Sequence, residues 1–169
     1  MAIDYNKIHP LIADGDRHLR TIIRDLLSDL GIPRAQIRDC ATGADVIELL
    51  TIRRSDFLIA ELQMSPMDGL TLLRRLRDPK ITPVPGVPVI LYSETLDEEI
   101  LAEIRGAGVN EVLVKPINGA NIRRHVSSVL EHPRPLINQP DYIGPDRRRN
   151  KEPWTGVERR SGKEDFFIC

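Results

Sequence analysis

Ile8 and the run Leu11, Ile12 and Ala13 precede Leu19, Ile22, Ile23, Leu26, Leu27 and Leu30, an apolar stripe at i, i+3, i+4, i+7, i+8 and i+11. The short continuous run predicts a buried strand, the spaced stripe predicts an amphipathic helix, and Gly31 ends that helix. The unit recurs four times along the chain: residues 36–40 then 44–50, 57–61 then 70–76, 87–92 then 100–104, and 112–114 then 122–130. Strands this short and this apolar are buried on both faces, and strict strand–helix alternation requires parallel pairing under helices on each side. Right-handed crossovers then give an α/β, doubly wound five-stranded parallel sheet.

The pattern stops near residue 132. Residues 1–131 carry a formal charge of −3 and residues 132–169 a charge of +2, although the whole chain of 169 residues is nearly neutral at −1. Four of the seven aromatics (Tyr142, Trp154, Phe166, Phe167) and five of the 13 prolines fall in the second segment. Its prolines 133, 135, 140, 145 and 153 are expected to interrupt any helix or strand, so a folded domain over 1–131 is followed by a largely irregular tail over 132–169. With 41% hydrophobic and 29% charged residues the chain as a whole should fold. No apolar run reaches the ~18 residues of a membrane span, and the N-terminus lacks a secretory pattern. A cytoplasmic protein without membrane insertion is expected. Cys40 and Cys169 form no metal or redox spacing. His9, His18, His125 and His132 share no ligand spacing either and are expected at the surface; no metal site is expected.

In doubly wound sheets the chemistry gathers at the carboxyl ends of the strands. Those ends read Asp14-Gly15-Asp16, Glu61-Leu62-Gln63, Tyr92-Ser93-Glu94 and Val114-Lys115-Pro116. Together with LIADGDRHLRTIIRDLL, MSPMDGLTLLRRLR, VPVILYSE and VLVKP, they make residues 7–131 resemble a CheY-like response-regulator receiver domain. The resemblance implies the flavodoxin-like strand order 2-1-3-4-5. It also implies a phosphorylation site in which an acid pair holds Mg²⁺, an aspartate accepts the phosphoryl group, and a hydroxyl and a lysine assist. Asp14 matches the first acid, Ser93 the hydroxyl and Lys115 the lysine, with a cis peptide expected before Pro116. An output face at Tyr92, Ser93, strand 5 and helix 4 is implied as well.

Gly15 stands where the resemblance implies the second acid, and Glu61 where it implies the aspartate. Mg²⁺ requires hard oxygen ligands in near-octahedral geometry, so neither the cation nor any other cofactor is expected. The extra methylene of Glu61 displaces the carboxylate by about 1.5 Å, too far for conventional in-line transfer. Asp16 is a candidate substitute acid, one residue beyond the implied position. The aromatic implied three residues before the lysine is Val112. A fixed Glu61–Lys115 pair standing in for the phosphorylated state is one expectation for this degenerate site, and a drifted site that keeps only the fold is the other. Arg74, Arg75 and Arg77 read as a solvated helix face, and Asp97 with Glu98 and Glu99 as a helix start.

The tail contains a tandem repeat. Tyr142, Gly144, Pro145, Asp146, Arg147 and Arg148 belong to one copy and Trp154, Gly156, Glu158, Arg159 and Arg160 to the other: aromatic, any, Gly, any, acid, Arg, Arg, at an offset of 12 residues. Arginine donates two parallel hydrogen bonds to guanine O6 and N7, and an aromatic or guanidinium plane can stack on the base. A carboxylate accepts from guanine N1–H and N2–H, and the second arginine is left for phosphate. Two such units suit a ligand with two guanines, and the tail resembles the arginine-rich extension of Cle-type CheY-like proteins, which implies cyclic di-GMP as ligand. The expected function is a non-enzymatic signalling adaptor that binds cyclic di-GMP and regulates a protein partner such as a flagellar motor component or a kinase. An atypical phosphorelay receiver with the tail as a docking strip is an alternative. A nucleic-acid-binding tail is a further one, weakened by interspersed acids and the lack of a helix-turn-helix pattern.

Overall fold

The protein is described by a computed structural model over residues 3–147. Strands β1 (Pro10–Ala13), β2 (Arg38–Cys40), β3 (Phe57–Glu61), β4 (Val89–Ser93) and β5 (Glu111–Val114) form a parallel sheet in the order β2-β1-β3-β4-β5. Helices α1 (Arg17–Asp29), α2 (Gly43–Ile52), α3 (Gly69–Leu76), α4 (Glu98–Gly106) and α5 (Gly119–Glu131) alternate with them. This is the doubly wound class the periodicity predicts. Two strands begin later than the apolar pattern does. Gln36 closes a 3-10 turn, and the ladders start only where Arg38 meets Leu11 and Val89 meets Leu58.

Alternation within the strands divides the core into two layers. Leu11, Ala13, Leu58, Ala60, Val89 and Leu91 face Val46, Leu50, Leu72, Leu73, Leu76 and Ile104 of α2, α3 and α4. Ile12, Phe57, Ile59, Ile90, Tyr92 and Leu113 face Ile23, Leu27, Ile122, Val126 and Val129 of α1 and α5. Each helix is started by a side chain that accepts from an otherwise unpaired backbone N–H: Asp16, Thr42, Asp68, Asp97 and Asn118. The last turn of α4 runs into Gly108 at φ 90°, a left-handed position that suits glycine. Among the described residues no helix is long and apolar enough to cross a membrane.

Three expectations are corrected. Arg77 does not belong to the solvated face with Arg74 and Arg75: it is 6% exposed. Its guanidinium donates to Gly108 O (3.0 and 2.8 Å), Pro85 O (2.8 Å), Val87 O (2.8 Å) and Asn110 Oδ1 (3.1 Å), tying the loop before β4 to the loop before β5. His125 is likewise buried, its Nδ1 3.4 Å from Glu111 Oε2, while Ser128 donates to Glu111 Oε1 at 2.6 Å. Burial works against the Glu111 charge, but these two partners outweigh it and hold the carboxyl below its usual pKa. The prolines of the tail do not prevent strands. β6 (Leu136–Gln139) and β7 (Tyr142–Pro145) pair antiparallel, with Pro140 in the connecting turn and Pro145 at a strand end, positions where a missing N–H is harmless.

Arg77→Ala should leave several buried carbonyls without donors and lower the unfolding free energy by about 3 kcal/mol. In a urea titration this reads as a lower midpoint, whereas Arg75→Ala on the exposed face should stay within about 0.5 kcal/mol of the parent.

Candidate functional site

Parallel strands deliver their carboxyl ends to one edge of the sheet, and four of the predicted side chains meet there. Asp14 follows β1, Glu61 and Ser93 close β3 and β4, and Lys115 follows β5. Asp14, Glu61 and Lys115 line an open cleft of about 630 Å³ together with Asp16, Gln63 and Glu94, and Ser93 lies buried beneath it against Gln63. The end of β3 is held by close packing. A Cβ on Gly69 would lie 2.7 Å from Glu61 O and 2.9 Å from Leu62 Cα, so the start of α3 can press on the strand only because residue 69 has no side chain. The Lys115–Pro116 peptide is cis, as expected, and so is Ser65–Pro66.

Glu61 is 6% exposed, and Lys115 Nζ lies 2.9 Å from its Oε2. That oxygen has no hydrogen bond of good angle, so the ammonium is its counter-ion by proximity. Oε1 accepts from Gln63 N at 3.4 Å. Lys115 also lies 3.6 Å from Glu94 Oε1 and 5.6 Å from the centroid of the Tyr92 ring. Partial burial opposes the Lys115 charge, but Glu61, then Glu94 and Asp14, outweigh it and raise the amine above the usual lysine range.

The two oxygens of Asp14 both have protein donors. Oδ1 accepts from Asp16 N at 2.6 Å and Oδ2 from the Tyr92 hydroxyl. Burial, reinforced by the Asp14 carboxylate, drives the Tyr92 phenol pKa far up, so the hydroxyl keeps its proton to donate. Ser93 is fully buried: its Oγ accepts from Gln63 Nε2 at 2.8 Å and donates to Thr95 O at 2.7 Å. Asp16 does not turn inward. Its carboxylate caps α1, accepting from His18 N at 2.7 Å. With Gly15 contributing no carboxylate, Asp14 committed to two donors and Glu61 facing an ammonium, these residues do not form the set of free hard oxygens that Mg²⁺ needs.

Tyr92 is the residue that sequence reasoning misplaced. An output face was expected at Tyr92 and Ser93, yet they are 1% and 0% exposed. Alternation along β4 could have shown it, since Tyr92 shares a face with Ile90 rather than with solvent. Gln63 was also missed, for the amide carries no signal of its own two residues past a strand. Cys40 is buried, and burial pushes its thiol up to about 12, which makes it inert.

The tail residues lie at the other end of the sheet. Tyr142, Gly144 and Pro145 are in β7, with Asp146 and Arg147 just beyond, against the loop that leads from α4 into the start of β5. Arg148, Trp154, Gly156, Glu158, Arg159 and Arg160 lie outside the described residues.

The raised Lys115 value fixes the sign of a pH effect. A cation whose folded pKa exceeds its unfolded one stabilises fully below the unfolded value, 10.5 for lysine, and loses that contribution as pH rises through the folded value. Glu61→Gln should therefore flatten the decline in stability above pH 10.5, measured by urea midpoints across the alkaline range.

Residues 11–127 match the family model described as response regulator receiver domain. The cyclic di-GMP phosphodiesterase response regulator RpfG of Xanthomonas campestris pv. campestris is 31% identical over 121 residues, which are 72% of this chain but 31% of RpfG. The chain thus spans under a third of that relative. Chemotaxis protein CheY-3 of Vibrio cholerae is 29% identical over 121 residues, 72% of this chain and 90% of CheY-3. Among solved structures, the chemotaxis response regulator CheY4 of Vibrio cholerae has the same fold, with a TM-score of 0.64 at 21% identity over 72% of this chain and 97% of CheY4. With the family model covering most of its length and the strand order, helices and strand-end cleft in agreement, this chain belongs to the response regulator receiver domain family.

Proposed function

We propose that this CheY-like signalling protein works without conventional aspartyl phosphorylation and takes cyclic di-GMP, captured by its repeated arginine unit, as its input. The observation that carries the first half is the Lys115 ammonium 2.9 Å from the Glu61 carboxylate. In a receiver the lysine attends a charge that comes and goes with the phosphoryl group. Here the carboxylate is permanent, longer by a methylene and already paired, so the pair is a standing substitute for the modified state. Support for a cleft that works without Mg²⁺ comes from Gly15, which brings no second carboxylate, and from Asp14, whose two oxygens already each accept from a protein donor, Asp16 N and the Tyr92 hydroxyl.

The second half rests on the tandem pattern. Each copy pairs a stacking aromatic with an acid and two arginines, the combination that reads both edges of guanine and leaves a cation for phosphate. The output is a protein partner of the signalling machinery, such as a motor component or a kinase, and the chain acts as an adaptor.

Two measurements test the two halves separately. Incubation with acetyl phosphate and Mg²⁺ should leave the intact mass unchanged; an adduct of about 80 Da on Glu61 would sink the standing-pair reading. Calorimetric titration of cyclic di-GMP into the full chain should give tight binding that an Arg147→Ala, Arg159→Ala double variant loses. Absence of heat, with no competition by GTP, would remove the ligand.

A further inference from the structure

The first copy of the repeat has a structural task in the folded chain, and it performs that task with the atoms a guanine would need. The Tyr142 hydroxyl donates to Pro145 O at 2.7 Å, and the Arg147 guanidinium covers the Tyr142 ring at 4.0 Å from its centroid. Arg147 Nη2 also donates at 2.8 Å to Gly106 O, at the last residue of α4. Helix carbonyls there have no partner within the helix and favour a cation. Gly144 fits against Gly108 so closely that a Cβ on residue 144 would lie 2.8 Å from the Gly108 Cα. The aromatic, the glycine and the first arginine of the pattern are therefore all engaged in seating β7 on the corner between α4 and β5.

A bound guanine needs the same groups. The ring face that Arg147 covers is a face on which a base would stack. Nη2 gives one of its two hydrogens to Gly106 O, which takes one of the two two-point edges with which the guanidinium can donate to guanine O6 and N7, and the place over the Tyr142 ring is the one the base itself would fill. We infer that seating of the hairpin on the α4–β5 corner and capture of a guanine nucleotide by Tyr142 and Arg147 exclude each other, so that the ligand frees this corner of the receiver. The inference rests on the ligand reading of the repeat. It also says how a tail could report to a receiver whose strand-end cleft lies at the opposite end of the sheet. What the ligand uncovers is the end of α4, residues Gly106 to Asn110, now flanked by a cleft of about 730 Å³ whose lining includes Arg74, Lys80, Ala107 and Tyr142.

Two variants loosen the seat without replacing a repeat residue. Arg134 donates to Val109 O at 3.4 Å, to Asn110 O and to Asp146 O at 3.4 Å, and Arg134→Ala removes all three bonds. In Gly108→Ala the new Cβ would lie 2.8 Å from Ile143 O. Because Gly108 also has φ 90° and that variant can fail to fold, Arg134→Ala decides. When a competing seated population is removed, apparent affinity rises by the inverse of the competent fraction, so cyclic di-GMP should bind Arg134→Ala roughly three- to tenfold more tightly than the parent. Hydrogen exchange of the parent should quicken at the β6 and β7 amides on saturation with cyclic di-GMP. Equal or weaker binding by Arg134→Ala, or slower exchange in the hairpin, overturns the exclusion while the ligand reading stands. A parent chain that binds no cyclic di-GMP at all removes both.

Discussion

Three adjacent strands, β1, β3 and β4, have no residue that is not buried, and every other feature of the molecule follows from covering them. A strand buried on both faces cannot alternate apolar and polar residues, and it needs helices above and below to exclude water. Burying side chains such as Leu11, Ile12, Phe57, Leu58 and Ile90 stabilises by about 1.5 to 3 kcal/mol each. The crossover helices that supply this cover also force the strands to run parallel, so all their carboxyl ends open on one edge.

That edge is where the covering is thinnest and where polar groups enter. Asp14 and Glu61 are nearly as buried as the apolar residues beside them, and a carboxylate in such a place needs a counter-charge or donors. The chain provides them from within: Tyr92 and Asp16 N for the first, Lys115 for the second. A cleft whose charges are already compensated has less to gain from a cation or a phosphoryl group than one whose acids face water. Both carboxylates thus meet partners from other strands: Tyr92 reaches Asp14 from β4, across β3, and Lys115 reaches Glu61 from the end of β5.

At the opposite edge the chemistry is reversed, because helices end there and expose carbonyls rather than amides. Arginines answer them. Arg77 ties Gly108, Pro85 and Val87 together, Arg134 reaches Val109 and Asn110, and Arg147 reaches Gly106. The hairpin is seated by guanidinium groups on backbone oxygens and by glycine against glycine, with little apolar burial. Such contacts are individually modest and exchange readily for other acceptors, which makes this corner a better place for a ligand-dependent change than the interior of the sheet.

Much of this was legible in the sequence because period and composition act locally. Apolar runs and 3.6-residue stripes set the five βα units, and the acids and lysine at the strand ends pointed to the cleft that Asp14, Glu61 and Lys115 share. The capping acid at Asp97 was equally readable, since a cap acts within its own turn. What required the fold were the partners supplied by distant segments. Arg77 sits in a row of arginines and reads as solvated until the loops before β4 and β5 close on it, and His125 until α5 lies against Glu111. Asp16 looks like a spare ligand until helix α1 takes its carboxylate as a cap. Prolines 140 and 145 look like breaks until the pairing of β6 with β7 puts them at a turn and an end. Sequence determined the apolar residues of the core and the five βα units they belong to, because those follow from local spacing; tertiary structure alone decided which polar groups are buried and which faces which, because that depends on contacts between residues far apart in the chain.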